Sequence, residues 1–153
     1  MKKFLPVIIL PLVILFSCLT QSLSAQTSPK LNHIAFYVVD LKTSTDFYRN
    51  IVGLDTIPEP FHDGRHTWFL IGPKSHLHII SGAVAKTSHD KNTHLCFTVS
   101  SVEAFIPALK KNNIQYENWA GEKSAVTLRV DGVKQIYFQD PDGYWLEIND
   151  AKE

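Results

Sequence analysis

The sequence predicts an α+β protein of two βαβββ modules that form a curved mixed sheet, with helices on the outer face. Three observations predict it. His33-Ile34-Ala35-Phe36-Tyr37-Val38 and His94-Leu95-Cys96-Phe97-Thr98-Val99 align at an offset of 61 residues, and both alternate like strands. Each of these strands runs into a capped amphipathic helix. The far ends align as well, Leu77-His78-Ile79 with Leu146-Glu147-Ile148, at an offset of 69 residues. The two offsets differ because the loops differ in length.

Residues 1–25 read as a secretory signal. Lys2 and Lys3 are followed by an apolar run from Phe4 to Phe16, and Ser24-Ala25 offers a small-residue cleavage site. The run is short for a membrane span and carries Pro6 and Pro11, so no span is expected in the mature protein. Export to a periplasm or to the medium follows. Leu15-Phe16-Ser17-Cys18 resembles a lipoprotein acylation site, with Phe16 a poor fit, so lipidation through Cys18 ranks second. Residues 26–30 read as a linker, and 31–150 as the folded domain, with modules at 31–82 and 93–150.

In the first module, Asn32 to Val39 is a strand. Asp40 caps a helix that places Leu41, Phe47, Tyr48, Ile51 and Val52 on one side, and Gly53 ends it. Strands follow at Leu54 to Ile57, Thr67 to Ile71 and His76 to Ile80, punctuated by Pro58, Gly64, Gly72 and Gly82. In the second module, Thr93 to Val99 is a strand. Ser100-Ser101-Val102-Glu103 is a capping box for a helix carrying Val102, Phe105, Ile106 and Leu109. Pro107 is expected to kink or shorten that helix. Asn112-Asn113 closes it, and strands follow at Ile114 to Trp119, Gln135 to Gln139 and Tyr144 to Ile148.

Without Lys2 and Lys3 the chain keeps 13 basic and 15 acidic residues, a net of −2. With no basic patch, a nucleic-acid partner is excluded. Cys96 is the one cysteine of the mature chain, so an internal disulfide is excluded too.

Alternation assigns the faces. Ile34, Phe36 and Val38 share an apolar face, as do Leu95, Phe97 and Val99, Leu77 and Ile79, and Leu146 and Ile148. Amphipathic helices can cover these. The opposite faces hold His33, His78, His94 and Glu147, at repeat-equivalent positions. A carboxylate on a buried strand is costly without a positive partner. Three imidazoles and a carboxylate related by a rough two-fold would converge on a divalent cation and supply that partner. His76 shares the parity of His78 and competes for its place. Arg129 or a lysine is the other candidate partner for Glu147. His62, His66 and His89 fall in expected loops and receive no role.

These residues resemble the vicinal oxygen chelate superfamily, which includes glyoxalase I, extradiol dioxygenases and fosfomycin or bleomycin resistance proteins. The likeness rests on Asn32-His33-Ile34 leading into Asp40-Leu41, on Asp46-Phe47-Tyr48 with Val52-Gly53-Leu54, on His94, and on Phe138-Gln139-Asp140-Pro141-Asp142-Gly143-Tyr144-Trp145-Leu146-Glu147. It implies a cup of strands around a divalent metal (Zn, Ni, Co, Mn or Fe) held by His33, His94 and Glu147, with His78 as the fourth ligand. Glyoxalase I typically has a glutamate at the place of His78, so Glu147 is left as the catalytic carboxylate. The resemblance further implies a small-molecule substrate contacted by Tyr37, Trp68, Arg129 and Trp145, and a homodimer that shares metal ligands across its interface.

Three functions follow. The first is a metal-dependent lyase or isomerase of glyoxalase type acting on a small substrate with vicinal oxygens. The second is an extradiol-type iron dioxygenase using His33, His94 and Glu147 as a facial set. The third is a non-enzymatic protein sequestering a small molecule or drug between Trp68, Trp119, Trp145, Tyr37 and Phe61. Fosfomycin chemistry ranks lower, because Ala35 stands where those proteins usually carry threonine. Lys123, Ser124, Thr127, Arg129 and Lys134 also lack a recognisable substrate-loop spacing.

Overall fold

The computed structural model describes residues 28–152. The signal-peptide and Cys18 readings lie outside these residues, as does the start of the linker.

The first module opens with β1 (His33–Val38) and α1 (Leu41–Phe47), which continues as a π-helical turn over Tyr48–Val52. Asp40 accepts from the Thr43 backbone N–H at 2.6 Å, capping α1, and Gly53 ends the turn at φ 85°. β2 (Thr56–Ile57), β3 (His66–Gly72) and β4 (Ser75–Ser81) follow. The second module has β5 (His94–Thr98), α2 (Val102–Lys111), β6 (Tyr116–Glu117), β7 (Thr127–Leu128), β8 (Lys134–Gln139) and β9 (Trp145–Asn149).

Each module forms its own mixed sheet, ordered β1-β4-β3-β2 and β5-β9-β8-β6, with β7 also paired to β8. β1 runs parallel to β4, and β5 parallel to β9. The repeat is therefore a repeat of topology as well as of sequence.

Several local readings are corrected. His66 opens β3 rather than lying in a loop, and its Nδ1 donates to the Asp63 carboxylate at 2.8 Å. The cap of α2 is Ser101, whose Oγ accepts from the Ala104 N–H at 3.2 Å. Glu103 then sits one position too early to close a capping box. Pro107 lies inside α2 without ending it. It faces solvent, where the carbonyl it leaves without a donor can be hydrated. The short strand β7 is an addition.

The apolar faces behave as alternation requires. Phe36, Val38, Leu77, Ile79, Leu146 and Ile148 join Phe47 and Tyr48 of the first helical segment and Val102 and Leu109 of α2 in one core. The turn between β8 and β9 fastens the second module to the first. Asp142 accepts from the Val39 N–H and the Ser44 hydroxyl, both at 2.7 Å. Asp140 accepts from the Tyr48 hydroxyl at 2.7 Å. These carboxylates are buried, and each is satisfied by neutral donors.

Candidate metal centre

The first half of the site sits on β1 and β4. Their register sets Ala35 opposite His78 and His33 opposite His76. The His33 and His78 rings stack, with centroids 4.4 Å apart and planes 6° from parallel. Trp68 of β3 stacks on His78 at 3.9 Å and 4°. His78, not His76, is thus the ring placed against His33. His33 Nδ1 lies 2.8 Å from Asn32 Oδ1. An amide oxygen only accepts, so Nδ1 carries the proton and Nε2 keeps its lone pair. His78 Nε2 and Trp68 Nε1 are buried without partners. Burial, with the other imidazoles crowded around it, pushes His78 down to about 4, so it is a neutral imidazole at physiological pH.

The second half sits on β5 and β9, where Cys96 is opposite Glu147 and His94 opposite Trp145. His94 Nδ1 donates to the Lys91 carbonyl at 2.7 Å. Its Nε2 lies 3.2 Å from Glu147 Oε2. With Nδ1 protonated, two electron-rich atoms face each other at that distance unless a proton or a cation lies between them. Tyr137 donates to Glu147 Oε2 at 2.7 Å, and Gln135 Nε2 donates to the Tyr137 hydroxyl at 2.7 Å. Asn149 Nδ2 donates to Oε1 at 2.9 Å, and the Cys96 thiol reaches the same oxygen at 3.4 Å. Burial alone would raise the Glu147 carboxyl. The hydrogen bonds from Tyr137, Asn149 and Cys96, with His94 beyond them, outweigh it and hold the group below the usual carboxylate range.

Glu147 therefore faces His94 and a polar network. Arg129 is not its partner, since that guanidinium pairs with Asp131 at 2.6 Å. The sequence alone does not single out Tyr137, Gln135 and Asn149 as the network around Glu147. Face parity could have found them, because Tyr137 is directly opposite Glu147 and Gln135 opposite Asn149 across the β8–β9 pair.

Within the chain the four residues gather as two pairs. Among the described residues, no three His, Cys, Asp or Glu side chains lie close enough together to hold one metal ion. Both polar faces are open: His33, Ala35 and Tyr37 on β1 are exposed, as are Cys96 and Thr98 on β5. Of the substrate candidates, Tyr37 is 49% exposed, and its backbone is bracketed by the Tyr144 hydroxyl. Trp68 is committed to the histidine stack. Trp145 donates to the His89 carbonyl at 3.0 Å and lines a cavity of about 360 Å³ with Ala35, His94 and Tyr144. Arg129 lines a separate groove of about 500 Å³ with Trp119 and Tyr137.

The donors suit a divalent cation. Both anchored histidines offer Nε2, the buried Glu147 supplies an anionic oxygen, and His78 Nε2 lacks any other partner. Nitrogen and oxygen donors of this kind serve Zn, Ni, Co, Mn and Fe.

Comparison with known proteins agrees with the fold. Metallothiol transferase FosB of Staphylococcus epidermidis is 28% identical over 129 residues, covering 78% of this chain and 80% of that protein. Human mitochondrial methylmalonyl-CoA epimerase is 30% identical over 97 residues, 56% of this chain and 55% of that one. A glyoxalase/dioxygenase structure from Nostoc punctiforme superposes with a TM-score of 0.69 at 21% identity, over 86% of this chain and 97% of that one. The sequence profile of one family matches residues 30–148. This chain belongs to the Glyoxalase/Bleomycin resistance protein/Dioxygenase superfamily.

Proposed function

We propose that the protein is a metal-dependent lyase or isomerase of glyoxalase type, acting on a small substrate with vicinal oxygens. One observation carries this reading: His33 and His94, equivalent in the repeat, both spend Nδ1 on an oxygen acceptor and keep Nε2 for a ligand. The active unit is a dimer in which the His33–His78 pair of one copy meets the His94–Glu147 pair of the other. Its support is that each pair lies on an open face and the pairs stay apart within one chain.

A divalent cation bound there supplies Lewis acidity to the two substrate oxygens. Glu147 takes the proton from the neighbouring carbon and returns it. Being held ionised at neutral pH, it is ready to accept. Tyr137 on Oε2 and Asn149 on Oε1 fix the orientation of the carboxylate. Of two relatives, the one named an epimerase fits inversion at carbon and the one named a metallothiol transferase fits a metal site.

The sandwich of His78 between His33 and Trp68 favours a second reading. If that packing keeps His78 off the metal, His33, His94 and Glu147 form a facial set for iron and dioxygen. Metal analysis of the purified protein, with His94→Ala and His78→Ala variants beside it, tests both readings. The lyase reading expects one divalent ion per chain, lost in His94→Ala and weakened in His78→Ala. Iron retained at full affinity in His78→Ala selects the second reading. Full metal content in His94→Ala rejects both.

A further inference from the structure

Lys91 lies in the segment joining the modules, three residues before His94, and none of the chemistry above uses its side chain. Its ammonium sits 5.6 Å from the Trp119 ring centroid, 5.5 Å from that of Tyr137 and 5.6 Å from that of Trp145. It donates to Glu117 Oε1 at 2.7 Å, to the Asn118 carbonyl at 3.2 Å and to the Trp119 carbonyl at 2.9 Å. An ammonium has three protons, and all three are used. The side chain is only 18% exposed. Lys91 is therefore no free cation for a substrate anion.

What the cage does is immobilise the residue whose carbonyl receives His94 Nδ1–H. Two of its three rings border the same half-site. Tyr137 is the donor to Glu147 Oε2, and Trp145 is the register partner of His94. Trp145 Nε1 also bonds the His89 carbonyl, so the segment is tied down at a second point on the same ring.

We propose that Lys91 is a positioning residue for the His94–Glu147 half of the metal site. The caged ammonium fixes the Lys91 carbonyl. That carbonyl holds His94 by Nδ1–H and keeps Nε2 directed at Glu147 Oε2. The inference rests on the proposed metal site, but its geometric part concerns His94 alone and is measurable without metal.

The test compares the wild type with Lys91→Met, which keeps the length of the side chain and removes the charge, and with Glu117→Gln, which leaves the lysine and weakens its cage. The first readout is the His94 Nδ1–H proton in nitrogen-edited spectra of the metal-free protein. It should be slow to exchange in the wild type and exchange at least about tenfold faster in both variants, while the His33 Nδ1–H is unchanged. The second is the affinity for Zn²⁺ alone by calorimetry, expected to fall by about 10–100-fold in Lys91→Met, the usual cost of losing support behind a ligand. Unchanged His94 exchange in both variants overturns the proposal, whatever happens to Zn²⁺. A wild type that binds no Zn²⁺, with His94 exchange still accelerated in the variants, rejects the metal reading and leaves the clamp standing. If Lys91→Met does not fold, Glu117→Gln alone decides by the same exchange criterion.

Discussion

The Tyr137 hydroxyl lies 2.7 Å from Glu147 Oε2, on directly opposed positions of the antiparallel β8–β9 pair. Both residues are buried, and Gln135 donates to the same hydroxyl from two positions along β8. The hydroxyl thus has its own proton committed to the carboxylate and a lone pair committed to Gln135. This relay fixes the carboxylate before any cation arrives.

Tyr137→Phe removes the relay without changing the ring. A hydrogen bond to a charged group is worth about 1.5–3 kcal/mol, and loss of that order is expected in denaturant unfolding. Metal affinity should drop by about 10–100-fold, because Glu147 Oε2 loses the donor that orients it. Equal metal affinity in the variant, measured by calorimetry, would show that Tyr137 does not orient Glu147.

Asp140 supplies the pH prediction. Burial raises its carboxyl, outweighing the bonds from the Tyr48 hydroxyl and from the Tyr144 and Asp142 backbone. A group whose folded-state value lies above its unfolded value binds more protons when folded. Its contribution is full below the unfolded value of 3.8 and is lost as pH rises through the raised folded value. Asp140→Asn keeps an acceptor for the two backbone N–H groups and removes the titration. The variant should gain on the wild type as pH rises from about 4 to 7. Urea midpoints across that range check it, and a stability difference that is flat with pH counts against the assignment.

Gly143 closes the turn at φ 96°, and a Cβ there would meet the Thr87 carbonyl oxygen at 2.4 Å. Backbone strain of this kind costs about 1–3 kcal/mol. The clash adds a similar amount, because Thr87 also donates its N–H to the Asp142 carbonyl and cannot retreat freely. Gly143→Ala should lower the thermal midpoint and loosen residues 83–93, which hydrogen exchange would report. A variant melting with the wild type would place the strain elsewhere.

The parts of this fold written in local chemistry were legible in the sequence. Asp40 at the first cap, Gly53 at the helix end and the alternation through Phe36 and Leu146 each depend on neighbours a few residues away. The repeat register put His33, His78, His94 and Glu147 at equivalent places; the structure pairs His33 with His78 and His94 with Glu147, because equivalent strands pair in parallel in both modules. What stayed hidden depends on distant partners. Tyr137 is an ordinary aromatic until its register against Glu147 is known, and Lys91 an ordinary lysine until Trp119, Tyr137 and Trp145 surround it. Residues 121–134 carry no strong alternation, so pairing with β8 alone makes Thr127–Leu128 a strand. The two-fold read from the repeat brings all four side chains to one point, whereas the described residues of one chain present them as two pairs on open faces.

That separation yields the sharpest prediction. If each site takes its first pair from one copy and its second from the other, His33→Ala and His94→Ala chains each lose metal in their own homodimers. Mixed and allowed to exchange subunits, they form heterodimers in which one site carries both substitutions and the other carries neither. The two-fold symmetry of the dimer requires this, since each chain contributes one pair to each site. Random exchange makes half the dimers mixed, so metal content should recover to about a quarter of the wild-type value. Sites built within single chains cannot recover at all, because every chain in the mixture lacks one ligand. Metal content measured after denaturing and refolding the mixture therefore separates the two arrangements, and a mixture that stays empty while wild-type protein refolds with its metal rules out the shared site.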